Sequence, residues 1–360
     1  MARLKKKDKR PGVGWTDDKV RTLSTDVILE RLAGAGILTS TDEFVDQARV
    51  EHAANAIADV WRERFLLTAH AAGDEFIGSA ARVLWERLLP ERPSFEMLDE
   101  RMQDGYVRLW TNHDVVRTCD CWREVWEGFK LHLAPEMPRV RDVDAVFAVT
   151  EYFINWCQEF ENELGNAAVH EPRFWQARVR YVKEFLAQFS AEDDELLLGN
   201  FLRAEAEALW SLGEQVQAEQ RYEALITRLP NFAWGYIGLA DCYWLGPQAT
   251  PEPKQYTRAE VIYQRALAVP TLHDRADVLE RLAELYVDQG NEEQAKVWYA
   301  RAEAEGGLGF APLWPEPAVT PSVLAGASHK LGRNERCWCG SGLKYKRCHL
   351  DADRGLLRSP

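Results

Sequence analysis

The sequence predicts an all-α protein: a helical bundle that runs into a stack of helical hairpins and ends in a short cysteine-rich tail. Three observations carry this. Apolar residues return every three or four positions through the first two hundred residues, without strand-like alternation. Between 196 and 305, a small residue precedes a tyrosine by one helical turn three times. Near the end, three thiols and an imidazole fall within thirteen residues.

Composition sets the outer bounds. With 360 residues, 46% of them apolar and 28% charged, the chain is long enough for two or three ordered domains. Every apolar run falls short of the about 18 uncharged residues that a membrane helix requires. Met1-Ala2-Arg3-Leu4-Lys5-Lys6-Lys7 has no apolar stretch behind it. The expectation is therefore a cytoplasmic protein with neither a secretory signal nor a membrane span. Seven cysteines, an odd number, then argue for metal or core roles rather than a disulfide framework.

The net charge of −13 is unevenly spread. Residues 1–10 hold six basic side chains against Asp8, and residues 326–360 hold eight against three acids. Each end is thus +5, which leaves −23 on 11–325. Such a body repels nucleic acid over most of its surface, while its ends can reach phosphate.

In chain order, residues 1–14 read as a disordered basic tail and 15–195 as an N-terminal helical domain. Ser24-Thr25-Asp26 caps a helix that Gly34 and Gly36 end. Phe44, Ala48, Ala54, Ile57, Ala58, Trp61 and Phe65 predict one long helix over 42–72. Another runs from Phe76 to Leu89 and is stopped by Pro90 and Pro93, and more are predicted at 94–110, 114–133, 141–164 and 172–189. The aromatic clusters Trp122, Trp126 and Phe129; Tyr152, Phe153 and Trp156; Phe174 and Trp175; and Trp234 and Tyr236 read as packing between helices. The acidic run Glu192–Glu195 reads as a solvated helix start. Cys119 and Cys121, with His113 and His132 nearby, raise the idea of a metal site. Residues two apart on a helix point about 200° from each other, so core cysteines are the stronger expectation there and at Cys157 and Cys242.

Residues 196–305 read as repeats. Ala218 and Tyr222, Ala259 and Tyr263, and Ala295 and Tyr299 share one spacing, and Leu239-Ala240 with Tyr243 matches Leu282-Ala283 with Tyr286. Two helices approach closely only where one side is cut down to Ala or Gly, and a large neighbour a turn away fills the gap. The stretch Gly246–Pro253 reads as a loop inserted between the first and second alanines. This pattern resembles the tetratricopeptide repeat, which implies an α-solenoid of three helical hairpins. The first hairpin departs from the pattern, with Leu202, Glu205 and Leu209 in its opening helix. Residues 306–330, rich in Gly and Pro, read as a linker.

Residues 331–351 carry the sharpest motif. Cys337-x-Cys339 lies at the mouth of a turn for which Gly340 and Gly342 are suited, and Cys348-His349 follows. Three thiolates and one imidazole are a tetrahedral zinc donor set. A segment this short cannot bury enough apolar surface to fold alone, whereas zinc supplies ~10–16 kcal/mol in small modules. Arg333, Arg336, Lys344, Lys346 and Arg347 surround a centre of net charge −1 and favour the thiolates. With all four positions taken by protein, the expected Zn²⁺ is structural.

Gly332-Arg333-Asn334, Cys337-x-Cys339-Gly340-Ser341-Gly342, Lys344-Tyr345-Lys346 and Cys348-His349 closely resemble the SEC-C zinc module. That module is found at the C-terminus of the export ATPase SecA and on many other bacterial proteins. Arg336 and Trp338 stand where the family commonly has proline; neither is a ligand. The resemblance implies a docking element, which in SecA contacts an export chaperone and the ribosome. Arg333, Trp338, Lys344, Tyr345, Lys346 and Arg347 are the residues expected to face a partner.

No Walker loop, nucleophile elbow, His-Glu-x-x-His helix or dinucleotide fingerprint occurs. The leading expectation is a non-enzymatic adaptor or scaffold in which a repeat groove holds one protein and the zinc module docks another. One alternative is a ribosome- or RNA-associated factor working through the basic ends. A second is an enzyme whose active site lies unrecognised in 15–195.

Overall fold

The chain divides into two compact units, Met1–Gly309 and Phe310–Pro360. The structure, a computed structural model, describes residues 14–65, 74–147, 150, 152–245 and 253–307, all within the first unit. These residues form sixteen α-helices and no strand.

The first five helices share one core. α1 (Asp17–Arg21) and α2 (Thr25–Gly34) are capped by Thr16 and Ser24, whose hydroxyls accept backbone N–H bonds. Gly36, at φ +90, then ends α2: its N–H reaches Ala33 O and that of Ile37 reaches Leu32 O. The predicted single helix over 42–72 is two helices, α3 (Thr41–Val50) and α4 (Ala54–Arg64), with 66–73 outside the described residues. The break at Glu51–Ala53 has a tertiary cause. Glu96, far along the chain, accepts the Ala54 and Asn55 N–H groups at 3.0 and 2.8 Å and so caps a helix whose own N-cap residue, Ala53, cannot. α5 (Asp74–Leu88) completes this group, whose core includes Phe44, Trp61 and Trp85.

The second group is α6 (Phe95–Asn112), α7 (Val115–Lys130), α8 (Val140–Asp144), α9 (Phe153–His170) and α10 (Arg173–Gln188). The helix expected over 141–164 is likewise divided, into α8 and α9. Asp144 ends the first and accepts the Phe153 N–H at the start of the second, at 2.6 Å. Aromatic rings fill the interior. Trp122 stands edge-on to Trp156 and Phe160, and Phe129 meets Phe147 and Phe153 at 4.7 Å. Gly105 makes room for the Trp122 indole, because a Cβ there would lie 2.0 Å from its Nε1. Of the predicted packing aromatics, Tyr152 alone is exposed.

The last six helices pair as hairpins: α11 (Glu195–Ser211) with α12 (Gln215–Arg228), α13 (Ala233–Asp241) with α14 (Tyr256–Leu267), and α15 (Arg275–Asp288) with α16 (Glu292–Ala304). The opening helices α11, α13 and α15 also touch one another in succession. Asp194, from the acidic run, caps α11 by accepting the Leu196 and Leu197 N–H groups. Gly213 and Gly290, at φ +83 and +75, turn the first and third hairpins through the same pair of closing bonds seen at Gly36. The three Ala–Tyr pairs are all buried.

A hydrogen bond repeats as well. Tyr243 donates to Glu219 at 2.7 Å and Tyr286 to Glu260 at 2.6 Å. Each glutamate follows the key alanine of the preceding hairpin, so each tyrosine ties its hairpin to the one before. Glu205, where the repeat pattern calls for a leucine-like residue, is buried and paired with Arg221 of α12 and Lys183 of α10. That helix faces the aromatic domain as well as its own hairpin, which accounts for its departure from the pattern.

Candidate functional site

A cleft of about 310 Å³ opens along the hairpin stack. Arg203, Glu207, Trp210 and Ser211 reach it from α11, Trp234, Ile237, Gly238 and Asp241 from α13, and Arg281 from α15. Tyr222 of α12 forms part of the floor, where Gly238 lets its ring pass beneath α13; a Cβ at Gly238 would lie 2.7 Å from Tyr222 Cε1.

Charge in the cleft is arranged in bonded sets. Arg178, fully enclosed beneath one end, donates from Nε to Glu161 at 2.6 Å and from Nη1 to Glu207 at 3.0 Å. Burial opposes its charge, but the two carboxylates keep it protonated well above its ordinary value. Burial also pushes the Glu207 carboxyl up, yet Arg178 and Arg203 hold it below its usual range. Further along, Asp241 accepts from the Tyr263 hydroxyl, which in turn accepts from Trp244 Nε1 at 2.9 Å. Burial pushes the Asp241 carboxyl up to about 6, against the opposing pull of Arg281 at 3.5 Å and the Tyr263 bond. The cleft thus presents two indoles flanked by both signs of charge. Such a surface offers apolar contacts at the rings and ionic contacts at the walls.

The residues singled out in the tail are placed differently. Cys337, Cys339, Cys348 and His349, together with Arg333, Trp338, Lys344, Tyr345, Lys346 and Arg347, all lie outside the described residues. Among the described residues no three metal-ligating side chains come together. Cys119 and Cys121 are core residues of α7. The first is fully enclosed, with its thiol pushed up by burial, and the second donates to Arg101 O at 3.3 Å. His113 ends α6 with a φ of +52, and His132 turns to His52 rather than to the cysteines. Cys157 and Cys242 are also buried.

The cleft itself was not singled out from the sequence. Its signal is a matter of spacing: Arg203, Glu207 and Trp210 fall one turn apart on α11, and Trp234 and Asp241 fall two turns apart on α13. No described helix is long and apolar enough to cross a membrane.

Residues 333–351 match the SEC-C motif. The chain is also similar to the protein translocase subunit SecA of several bacteria. It is 35% identical to that of Alcanivorax borkumensis over 77 residues, which is 21% of this chain and 8% of the relative. It is 45% identical to that of Pseudomonas putida over 60 residues, covering 16% and 7%. Against Pseudomonas savastanoi pv. phaseolicola it is 26% identical over 238 residues, covering 60% and 23%. The matches therefore span less than a quarter of the length of these relatives.

Proposed function

We propose that this chain is a non-enzymatic cytoplasmic adaptor. In this reading 196–305 are three tetratricopeptide-like repeats whose cleft holds a protein segment, and 306–330 tethers a zinc-folded module that docks a second partner. The observation that carries the proposal is the SEC-C match at 333–351, because it falls on a donor set of three cysteines and one histidine. Cys337, Cys339, Cys348 and His349 would hold Zn²⁺, and the donor types fit a closed tetrahedral site. The metal would supply folding free energy to a segment too small for a core of its own. Arg333, Trp338, Lys344, Tyr345, Lys346 and Arg347 would then form the docking face. Two modest sites on one chain raise each other's effective concentration, so neither needs to be tight alone.

The buried thiols of the helical body, raised rather than lowered, support structural rather than nucleophilic roles. By the likeness to SecA, the second partner belongs to the export-chaperone or ribosomal machinery. The +5 charge at each end favours a variant of that reading, in which the ends touch ribosomal RNA.

Metal analysis of the purified chain tests the module. One zinc per chain is expected, falling to none in Cys337→Ser/Cys348→Ser; a metal-free wild type would end the proposal. Affinity capture with and without residues 326–360 tests the tether. An identical set of captured proteins would remove the tail from the mechanism. Ribosome co-sedimentation that ignores salt would exclude the RNA-contacting variant.

A further inference from the structure

The joint between α1–α5 and the rest of the helical body carries a pair of histidines. The two groups have separate apolar cores, one around Phe44, Trp61 and Trp85, the other around Phe129, Trp156 and Phe160. Ala53 and Met97 are partly buried against the opposite core, and polar contacts complete the seam. Phe95 N–H reaches His52 O at 2.9 Å, and Glu96 caps α4 as described. Arg92 donates to Leu131 O. Between these, His52 Nδ1 and His132 Nδ1 face each other at 3.1 Å.

Chemistry fixes the protons in this pair. His132 Nε2 lies 2.7 Å from Pro93 O, and a carbonyl only accepts, so Nε2 carries hydrogen. In the neutral ring Nδ1 is then a bare lone pair, and His52 Nδ1–H donates to it. With both rings protonated, Nδ1–H would be set against Nδ1–H. The charged groups acting on the pair are Glu51 at the end of α3 and Arg92 in the α5–α6 connection. Glu96 of α6 is committed to the α4 amides, and Lys130 of α7 is turned to Glu127 and Glu184. His132 is 3% exposed, so a second positive charge beside Arg92 would have little water to screen it.

We infer that the His52–His132 contact is a proton-sensitive latch: mild acid loosens the seam and releases α1–α5 from the aromatic domain while each keeps its own core. The sign follows from linkage. Burial, outweighing the bond to Pro93 O, lowers the folded value of His132 to about 4, and burial with Arg92 also lowers that of His52. Closure is therefore strongest above the free value of 6.5 and weakens as pH falls toward 4. For His132 alone the closed-to-open ratio drops roughly tenfold between pH 7.0 and 5.5.

Hydrogen exchange of the full chain tests this, with rates corrected for the intrinsic effect of pH. Protection of the Ala54, Asn55 and Phe95 amides should fall at least about tenfold from pH 7.0 to 5.5. Amides in the middle of α7 and α9 should hold. His132→Asn, which cannot titrate, should show less than half of that fall, the remainder coming from His52. Equal protection at both pH values, or a variant as steep as wild type, would overturn the latch. If near-UV circular dichroism shows that the variant has lost its packing, the ring titration of His132 in wild type decides. A value below 5 supports the latch, and one near 6.5 refutes it.

Discussion

Among the described residues, the core around α6–α10 and the core of the hairpin stack each hold twenty-eight buried side chains, but of different kinds. The first has fourteen aromatic residues, nine of them phenylalanine, and four alanines. The second has eight aromatic residues, every one a tyrosine or tryptophan, and nine alanines. Rings in the first region therefore meet rings, some edge to face and some stacked, in one continuous cluster. In the second, alanines bring helices close together, and several of the large side chains reach across to a polar partner on a neighbouring helix. The first way of packing makes one body. The second makes a series of units, each bonded to the next, with a cleft running along the stack.

The sharpest way to break this contrast is to remove a ring from the first region. Trp156→Ala leaves a void beside Phe129, Phe153 and Phe160 and should cost about 3–5 kcal/mol, read as a shift in the urea midpoint. Filling a close approach in the second region should cost less. Gly238→Ala drives a methyl into the enclosed Tyr222 ring, so the upper part of the ~1–3 kcal/mol range for overpacking is expected. Equal losses at the two sites would erase the distinction between them.

The smallest effect depends on pH. The folded value of Asp241, about 6, lies above its free value of 3.8, so its contribution to stability is greatest at low pH and declines as pH rises from 3.8 to 6. Asp241→Asn, fixed in a neutral form that still accepts from Tyr263, escapes this decline. Relative to wild type it should gain on the order of 2 kcal/mol between pH 4 and pH 7, measured by chemical denaturation along a pH series. A flat difference would show that Arg281 already balances the charge.

Much of this architecture is legible in the residues. Alanines 218, 259 and 295 mark the hairpins because close helix approach needs a small side chain at a fixed phase. Ser24 and Gly36 mark the ends of α2 because caps and positive φ are local requirements. The dipeptides Ala218-Glu219 and Ala259-Glu260 also encode the tyrosine bonds between hairpins, a signal that a search for apolar spacing alone passes over. The breaks at 51–53 and after Asp144 were not legible. An apolar period runs straight through the first, and the carboxylate that caps α4 comes from Glu96, on another helix.

The sequence by itself determined the all-α class and the phase of the hairpins. Each of these follows from spacing between near neighbours. Only the tertiary structure decided where the long helices break, that Arg203, Asp241 and Arg281 share a cleft, and that His52 faces His132. In those cases the deciding contact joins residues distant in the chain, and the energy of burying or pairing a charge depends on which surfaces come together.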